Sequence, residues 1–573
     1  MVPFLEAEHA GELDTLSERP PRLALAQYSV INPGLYCHFT TVVHINAQAI
    51  RNSNAFQEAM SEFALPEGFQ LAMDSWPFGG RSEDDVDDGR YWGGLVFAKP
   101  VTPVDSNYYA YPIPITVMVD ARTMEVIRVE RFATGGVGDG LRPSPRRDTP
   151  RKLFEDHRGA EYLPENICIP LRSDLKPIHI TQPKGASFRV HSDRLIEWQK
   201  WSFRLGFNAR EGAVLHDVCY DGRPIFYRLS FSEMTVPYAD PRPPFQRKQA
   251  FDFGDVGVGR TANNLQLGCD CLGAIHYVDA IDVNSDGSPQ TSKTVVCIHE
   301  QDNGILWKHT DVRTNRSGIV RNREFIVQFI ATLGNYEYIL SYTLDLAGGI
   351  SMETRATGIV SVAAIDLGKT SEYGNVVSPG ILAQNHQHIF AARIDAAIDS
   401  YETGDTRVVV EDSVGRKICP DTNPYGNLYE VERKPVDEPT WIDLEPRLNR
   451  LIKLENTRKK NHVSGRHLAY KVVAPVTQLL LADDDSMAAK RARFAQHHLW
   501  VTGHRDGELY AAGDYTNMSS RETGGVSDMI KRPDRFAVDE LQLDEDDGHR
   551  AHPIVWVVFG LTHNPRVEDW PVM

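Results

Sequence analysis

The segment TLGNYEYIL, residues 332–340, places two phenols beside an amide and a carboxylate in an otherwise apolar run. The run is rich in residue types that favour strands, so we predict a buried β-strand here. A buried phenol needs a partner for its hydroxyl group, and this stretch contains two. Two interpretations follow: a strand whose polar groups are all satisfied, or a strand in which Tyr336 or Tyr338 is a reagent.

A His-x-His pair lies in the segment NHQHIF, residues 385–390. On a strand, residues i and i+2 project from the same face, so His386 and His388 can face one ion. Imidazole suits copper, zinc and iron, and His563, after the apolar segment 554–560, could supply a third ligand. A His-x-His pair alone is more often structural, but the apolar neighbours favour a metal, because buried ligands need a partner.

Two carboxylates lie in the segment QAFDFGDVG, residues 249–257. Asp252 stands between two phenylalanines, where desolvation would raise its pKa and make it usable as a general base. Composition alone favours a simpler interpretation, in which Asp252 and Asp255 cap turns before the neighbouring glycines.

The cysteine pattern predicts neither a disulfide scaffold nor a zinc site. The chain contains seven cysteines in 573 residues, and Cys269 and Cys271 form a Cys-x-Cys pair without a second pair. One disulfide, or three unreactive thiols that include Cys297, remain the alternatives. The glycine clusters at 135–140 and 254–260 lack the order of a dinucleotide fingerprint, so nucleotide binding is not predicted.

The bulk composition indicates a folded chain of two to four domains. The formal net charge is −17, which argues against nucleic acid or an anionic membrane as the main partner. No apolar run is long enough to span a bilayer, and the first twenty residues do not resemble a signal peptide. We therefore expect an intracellular protein.

The elements that must position these residues are mainly strands. Helical spacing predicts helices over 55–65, 192–203 and 486–500, the first within a small α+β module. Beyond about residue 190 many short strands alternate with turn clusters, which favours a large antiparallel β-sandwich over a doubly wound sheet. The predicted fold class is α+β and mainly β, with small N-terminal domains before the sandwich.

In chain order, these segments resemble the copper amine oxidases, the topaquinone-containing primary-amine oxidases, and most of all their fungal branch. The resemblance begins near residue 60 and runs to the end of the chain. It is carried by YRLSFSEMTVPYADPRPPF, FDFGD, LGCDCLG, NYEY, NHQHIF and GLTHNPRVEDWP. The signature TxxNY(D/E)Y at 332–338 is highly specific to this family.

The resemblance implies a copper(II) and topaquinone enzyme that deaminates primary amines with O2, giving aldehyde, ammonia and hydrogen peroxide. Tyr336 would be converted into the topaquinone, which forms a Schiff base with the amine. The other implied roles are copper ligation by His386, His388 and His563, proton acceptance by Asp252, orientation of the quinone by Tyr238 and Asn335, and a disulfide between Cys271 and Cys297. The alternative is a non-catalytic metal-binding β protein that retains the fold.

The resemblance also implies an organisation. We expect an incomplete first N-terminal α+β domain at 1–50, a second at 51–150, a linker at 151–190 and a C-terminally short catalytic sandwich at 191–573. A homodimer is implied, with 307–325 and 457–471 as the hairpin arms, in the peroxisome or the cytoplasm. Asp395 matches one ligand of a peripheral second metal, but His552 stands where an aspartate is expected, so no second site is predicted.

Overall fold

The structure is a computed structural model of the 573-residue chain. It describes residues 50–76, 91–120, 123, 125–139, 151–152, 160–167, 170–284, 287–537 and 550–572. The predicted first domain at 1–50 therefore lies almost wholly outside the described residues. Within these ranges, no helix has the length and apolar character needed to cross a membrane.

Strands dominate the described chain, in keeping with its many β-branched and aromatic residues. In chain order the strands are β1 Phe63–Ala64, β2 Phe69–Trp76, β3 Tyr91–Pro100, β4 Pro112–Asp120, β5 Val126–Arg131, β6 Arg151–Lys152, β7 Phe188–Val190, β8 Leu195–Trp198, β9 Trp201–Asn208, β10 Gly212–Tyr220, β11 Arg223–Pro237, β12 Gln249–Ala250, β13 His276–Val283, β14 Pro289–Thr310, β15 Ser317–Leu333, β16 Tyr336–Asp345, β17 Ile350–Gly358, β18 Val362–Ala364, β19 Gly374–Ser378, β20 Ile381–Gln384, β21 His386–Ala396, β22 Thr406–Gly415, β23 Tyr429–Pro435, β24 Thr440–Ile442, β25 Leu451–Lys460, β26 His467–Val472, β27 Leu499–Gly503 and β28 Pro553–His563.

In the part of the chain that the structure describes, the helices are few and short. They include the α-helices α1 Asn54–Met60, α2 Met487–Arg491 and α3 Val526–Met529. Single 3₁₀ turns cover Tyr108–Ala110, Phe245–Arg247, Pro446–Leu448, Arg493–Gln496 and Val567–Asp569, and a π-helical turn covers Asp252–Val256.

Two sheets form the large sandwich. The first has ten strands in the order β24-β27-β28-β21-β11-β10-β9-β8-β7, with β12 paired to β11, and the second has the order β13-β14-β15-β16-β17. The largest hydrophobic core contains buried side chains from both sheets. Along β16 buried positions alternate with partly buried ones, as expected for a strand with one face on a core. The predicted fold class is confirmed.

A smaller unit precedes the sandwich. Strands β2 to β5 form a four-stranded antiparallel sheet, and α1 packs its buried Phe56 and Ala59 into the hydrophobic core of that sheet. From 170 to 187 the chain contains no helix or strand. These elements lie inside the ranges assigned to the second domain and the linker, and the division into domains stays a prediction.

The predicted helix at 192–203 is wrong, because this segment forms β8, β9 and the tight turn between them. Trp198 pairs with Trp201 across a two-residue turn, and Gln199 in that turn has a φ of 53°. Ile196, Trp198, Trp201 and Phe203 are all buried. Buried residues alternate with period two in each strand, but the turn adds one residue to the spacing between Trp198 and Trp201. The combined pattern therefore resembles the 3.6-residue period of a helix.

The other two predicted helices are shorter than expected. The helix predicted over 55–65 is α1, which ends at Met60. In the segment 486–500, α2 is followed by a 3₁₀ turn and then by the start of β27. Both predicted arm segments lie in antiparallel hairpins, formed by β14 with β15 and by β25 with β26.

Candidate active site

Three histidines from neighbouring strands of the ten-stranded sheet lie side by side. His386 is the first residue of β21, His563 is the last residue of β28, and the two pair directly in the antiparallel register. The ring centroid of His386 lies 4.9 Å from that of His388 and 4.9 Å from that of His563. The register therefore places His563 beside His386, although the two are 177 positions apart along the chain.

Each of the three imidazole rings has one nitrogen held by a neighbouring group. His386 donates from Nδ1 to the Gln384 carbonyl at 2.8 Å, and His563 donates from Nε2 to Asp569 at 3.0 Å. Nδ1 of His388 lies 2.9 Å from the Tyr338 hydroxyl. Such outer contacts orient the rings of metal-bound histidines and select the nitrogen that binds. Here they leave Nε2 of His386, Nε2 of His388 and Nδ1 of His563.

This set of donors fits a copper ion. Among the described residues, Nε2 of His388 is buried and has no hydrogen-bond partner, an arrangement that requires a compensating interaction. Burial lowers the pKa of His386 to about 3 and the pKa of His388 well below its usual value, so both rings are neutral at physiological pH. Neutral imidazole is the form that binds metal, and imidazole is among the ligands that suit copper.

Tyr336 reaches this cluster from the opposite sheet. It begins β16 after a two-residue turn, in which Gly334 has a φ of 65°, and its β17 neighbour is Gly358. Its hydroxyl oxygen lies 3.0 Å from Nε2 of His386, and its ring centroid lies 4.9 Å from that of His388. Burial raises the pKa of Tyr336 to about 12. Its phenol thus faces the nitrogen that would bind the metal.

The neighbours of Tyr336 in the signature have different roles. Tyr338 contacts the outer nitrogen of His388, and Glu337 accepts a hydrogen bond from Thr332 at 2.7 Å. Asn335 donates to the carbonyl of Ile359 at 2.6 Å, which holds the turn before Tyr336. Both phenols therefore contact a histidine, but only the Tyr336 hydroxyl faces a ring nitrogen that the outer contacts leave for a metal.

Tyr238 lies against the same cluster. Its ring stacks on His386 with a centroid distance of 5.2 Å, and its hydroxyl lies 3.5 Å from that of Tyr336, slightly beyond a normal hydrogen bond. The Nζ atom of Lys248 lies 3.9 Å from the Tyr238 ring centroid and donates to Ser361 and Gln384. Sequence reasoning missed Lys248, because nothing in its local segment distinguishes it from a surface lysine.

Asp252 opens the π-helical turn that follows β12 and is buried. Burial and the nearby carboxylates of Asp255 and Glu233 raise its pKa well above the usual value. Burial raises the pKa of Tyr238 and Tyr338, and the charge of Asp252 adds to the rise at both, so its carboxylate interacts electrostatically with these phenols. The two phenylalanines beside it, Phe251 and Phe253, are almost completely buried, as the desolvation argument requires.

Two further sequence predictions concern residues outside this cluster. Cys271 and Cys297 form a disulfide, so their sulfurs are not available as ligands although His299 lies beside them. At the peripheral position, Asp395 lies 3.3 Å from Arg393 and 3.4 Å from Nε2 of His552. The guanidinium group of Arg393 thus already faces the Asp395 carboxylate that a second metal ion would need as a ligand.

Known proteins match this chain over most of its length. A family profile described as "Copper amine oxidase, enzyme domain" matches residues 189–573. "Copper amine oxidase 1" of Aspergillus niger is 49% identical over 100% of this chain and 87% of its own length. "Diamine oxidase [copper-containing] 1, peroxisomal" of Nicotiana tabacum is 38% identical over 91% of this chain and 64% of its own length.

A solved structure agrees with the fold as well as the sequence. The copper-containing benzylamine oxidase from Hansenula polymorpha superimposes with a TM-score of 0.84 and 38% identity, covering 93% of this chain and 80% of that one. The profile match covers the histidine cluster, Tyr336 and Asp252. The chain belongs to the copper amine oxidase family, which uses copper and topaquinone to oxidise primary amines.

Proposed function

We propose specific roles for the residues by which this primary-amine oxidase works. The reaction converts a primary amine, O2 and water into aldehyde, ammonia and hydrogen peroxide. Copper, held by His386, His388 and His563, and the topaquinone made from Tyr336 supply the electrophilic carbonyl and two-electron acceptor that unmodified side chains lack. The observation that carries the proposal is the 3.0 Å contact between the Tyr336 hydroxyl and Nε2 of His386.

Asp252 is the proton acceptor in this proposal. Oxidation of the amine requires removal of a proton from the carbon next to nitrogen, and Asp252 is a buried carboxylate whose charge acts on the phenols of Tyr336 and Tyr338. Its raised pKa strengthens it as a base, because a carboxylate that holds a proton more tightly removes one more readily. Burial also keeps bulk water from competing for that proton.

Tyr238 and Asn335 hold the reacting ring in this proposal. The Tyr238 hydroxyl lies 3.5 Å from that of Tyr336, and the Nζ atom of Lys248 lies over the Tyr238 ring. Asn335 anchors the turn through Ile359. The relatives named above are oxidases, and the alternative of a non-catalytic metal-binding protein has no support.

Tyr336→Phe tests the origin of the cofactor. The variant retains the three histidines, so we expect it to bind copper with little change in stoichiometry. It should never develop the quinone absorbance and should not react with phenylhydrazine. Tyr342→Phe is the matched control, because Tyr342 is a buried tyrosine of the same strand whose hydroxyl donates to the Ala213 carbonyl. A Tyr336→Phe protein that reacts with phenylhydrazine would exclude Tyr336 as the precursor.

Asp252→Asn tests the proton acceptor. We expect normal copper content and normal phenylhydrazine titration, with the rate of aldehyde production lower by ~10²–10⁴-fold, the usual contribution of a general base. The measurement is turnover per hydrazine-reactive site with methylamine. Turnover close to that of the unsubstituted enzyme would disprove this role and make Asp255 the next residue to test.

We propose that two chains form a homodimer through the hairpin arms. On β14 and β15, large apolar side chains are exposed, with Trp307 at 54%, Ile319 at 55% and Val320 at 44%. Exposed apolar groups clustered in this way are typical of a surface that a partner covers. The hairpin of β25 and β26 is the second proposed arm.

Sedimentation of the purified enzyme should give roughly twice the chain mass of 64.4 kDa. Trp307→Asp combined with Ile319→Asp should move the population toward the single-chain mass, because burying two carboxylates in an interface is unfavourable. Leu367→Asp is the control, because Leu367 is a similarly exposed apolar residue, at 57%, outside both arm segments. A stable monomer at micromolar concentration would contradict the dimer.

The peroxisome is the compartment that we propose. The Nicotiana relative carries that location in its name, and the hydrogen peroxide made here is the substrate that catalase removes. The full-length natural chain, tagged with a fluorescent protein and expressed in a fungal cell, should co-localise with catalase. A diffuse signal under the same conditions would favour the cytoplasm instead.

A further inference from the structure

Two buried carboxylates hold the turn that carries Asp252. Asp255 accepts a hydrogen bond from the Phe251 backbone N–H at 2.9 Å and another from the Thr516 hydroxyl at 2.7 Å. Glu233 accepts from the backbone N–H of Gly254 at 3.1 Å. The residue before the short turn and the glycine at its centre are thus tied to carboxylates that make no contact with the histidines.

The packing around this turn leaves little freedom. A Cβ atom on Gly254 would lie 2.4 Å from the Thr516 hydroxyl oxygen and 2.9 Å from the Glu233 carboxylate. Gly257, which ends the turn, has a φ of 95° and would place a Cβ 2.5 Å from the Ala209 carbonyl oxygen. At both glycines the turn packs too closely against its neighbours to admit a side chain. Asp252 therefore lies in a rigid segment.

The charges of this group of side chains do not cancel. Asp252, Asp255 and Glu233 contribute three carboxylates, and two buried guanidinium groups, Arg210 and Arg491, act on them. Arg210 donates to Glu233 at 3.1 Å, and its guanidinium lies 3.6 Å from the Tyr510 ring centroid. With all five groups ionised the net charge is −1. One added proton makes the cluster neutral.

Burial raises the pKa of all three carboxyl groups, that of Glu233 to about 7, but guanidinium groups and hydrogen-bond donors oppose the rise at Glu233 and Asp255. Nothing opposes it at Asp252, so the proton that neutralises the cluster belongs there. In the described part of the chain, no group donates a hydrogen bond to its carboxylate, whereas Asp255 and Glu233 each accept several. The groups that face Asp252 are these two carboxylates and the phenols of Tyr238, Tyr336 and Tyr338. A carboxylate without donors, next to like charges, binds a proton more tightly than one with donors.

We propose that Asp255 and Glu233 are positioning residues that clamp the turn of Asp252 and, through their negative charge, strengthen its hold on the proton removed from the amine. This inference rests on the role of Asp252 in the proposed function. The reaction step is unchanged: the proton leaves the carbon and ends on Asp252. The two neighbours make that end state more favourable because the cluster then carries no net charge.

The sign of the expected pH effect follows from the charges. Removing one negative neighbour makes protonation of Asp252 less favourable, so its pKa falls and the ionised, competent form persists to lower pH. The acid limb of the pH profile should therefore move to lower pH, by about one pH unit for each neutralised carboxylate. A role limited to structure would lower the rate at every pH without moving the limb.

The experiment compares Asp255→Asn and Glu233→Gln with the unsubstituted holoenzyme. The rate of quinone bleaching by saturating methylamine without oxygen is measured against pH, after phenylhydrazine titration shows equal cofactor content. Both variants should move the acid limb downward. Glu522→Gln is the matched control, since Glu522 is another buried carboxylate that holds backbone N–H groups, at Phe494 and Ser527. Its acid limb should coincide with that of the unsubstituted enzyme.

Thr516→Val distinguishes the two effects proposed for Asp255, which are holding the turn by hydrogen bonds and acting on Asp252 by negative charge. It removes the hydroxyl that binds Asp255 and retains all five charges, so it should slow bleaching without moving the limb. A second readout does not depend on activity: the infrared difference between each protein and its Asp252→Asn counterpart reports protonation of Asp252 directly. That titration should shift downward in Asp255→Asn and Glu233→Gln.

Each outcome decides the inference. An acid limb that stays in place in both carboxylate variants, with the quinone intact, would overturn it while leaving the proposed function untouched. If only one variant folds, that variant decides, because both carboxylates act on one proton. Failure of both to fold would show that structure alone explains them. Absence of quinone in the copper-loaded unsubstituted enzyme would instead refute the proposed function.

Discussion

The contact between the Tyr336 hydroxyl and Nε2 of His386 joins the two sheets of the sandwich at the site. One partner begins a strand of the five-stranded sheet and the other begins a strand of the ten-stranded sheet. In the proposed function Tyr336 would have to lie beside the copper ion that the histidines would hold, so the distance between the two sheets would itself matter for function. The large core between them holds that distance.

Desolvation is the physical cause that gives the site its chemistry. The same burial acts in opposite directions on cations and anions, because it disfavours whichever form carries charge. It keeps His386 and His388 neutral and able to bind a metal, and it raises the proton affinity of Asp252. A site exposed to water would provide neither neutral ligands over a wide pH range nor a carboxylate with a strengthened hold on a proton.

A layer of neighbouring groups makes this buried polarity tolerable. Gln384, Tyr338 and Asp569 each engage one ring nitrogen of a histidine, and Arg210 faces the carboxylate of Glu233. Buried polar groups without partners are costly, so these contacts are a condition for folding as much as for catalysis. The nitrogen of His388 that lacks a partner marks where a metal would complete the arrangement.

The sequence alone determined the fold class and the family, and it predicted the side chains to which we assign the reaction. Two local features carried these predictions: the spacing of His386 and His388 on one strand, and the signature sequence around Tyr336. Both involve residues that are close together in the sequence, so no knowledge of the fold is needed to recognise them. The strands after residue 190 were predicted for the same reason. The error at 192–203 arose where a two-residue turn shifted the phase of a period-two pattern, so that local spacing imitated a helix.

Tertiary structure alone decided which residues surround that chemistry. Glu233, Lys248 and Arg210 come from separate segments, and only strand pairing and sheet packing bring them to Asp252 and Tyr238. The two tyrosines of the signature could not be distinguished by sequence reasoning from residue types, since both are buried phenols on one strand. The structure separates them, because register places Tyr338 at the outer nitrogen of His388 and Tyr336 at the metal-facing nitrogen of His386. Such distinctions depend on distances between residues that are far apart in the sequence. Strand register and sheet packing set these distances, and the spacing of residues along the chain does not reveal them.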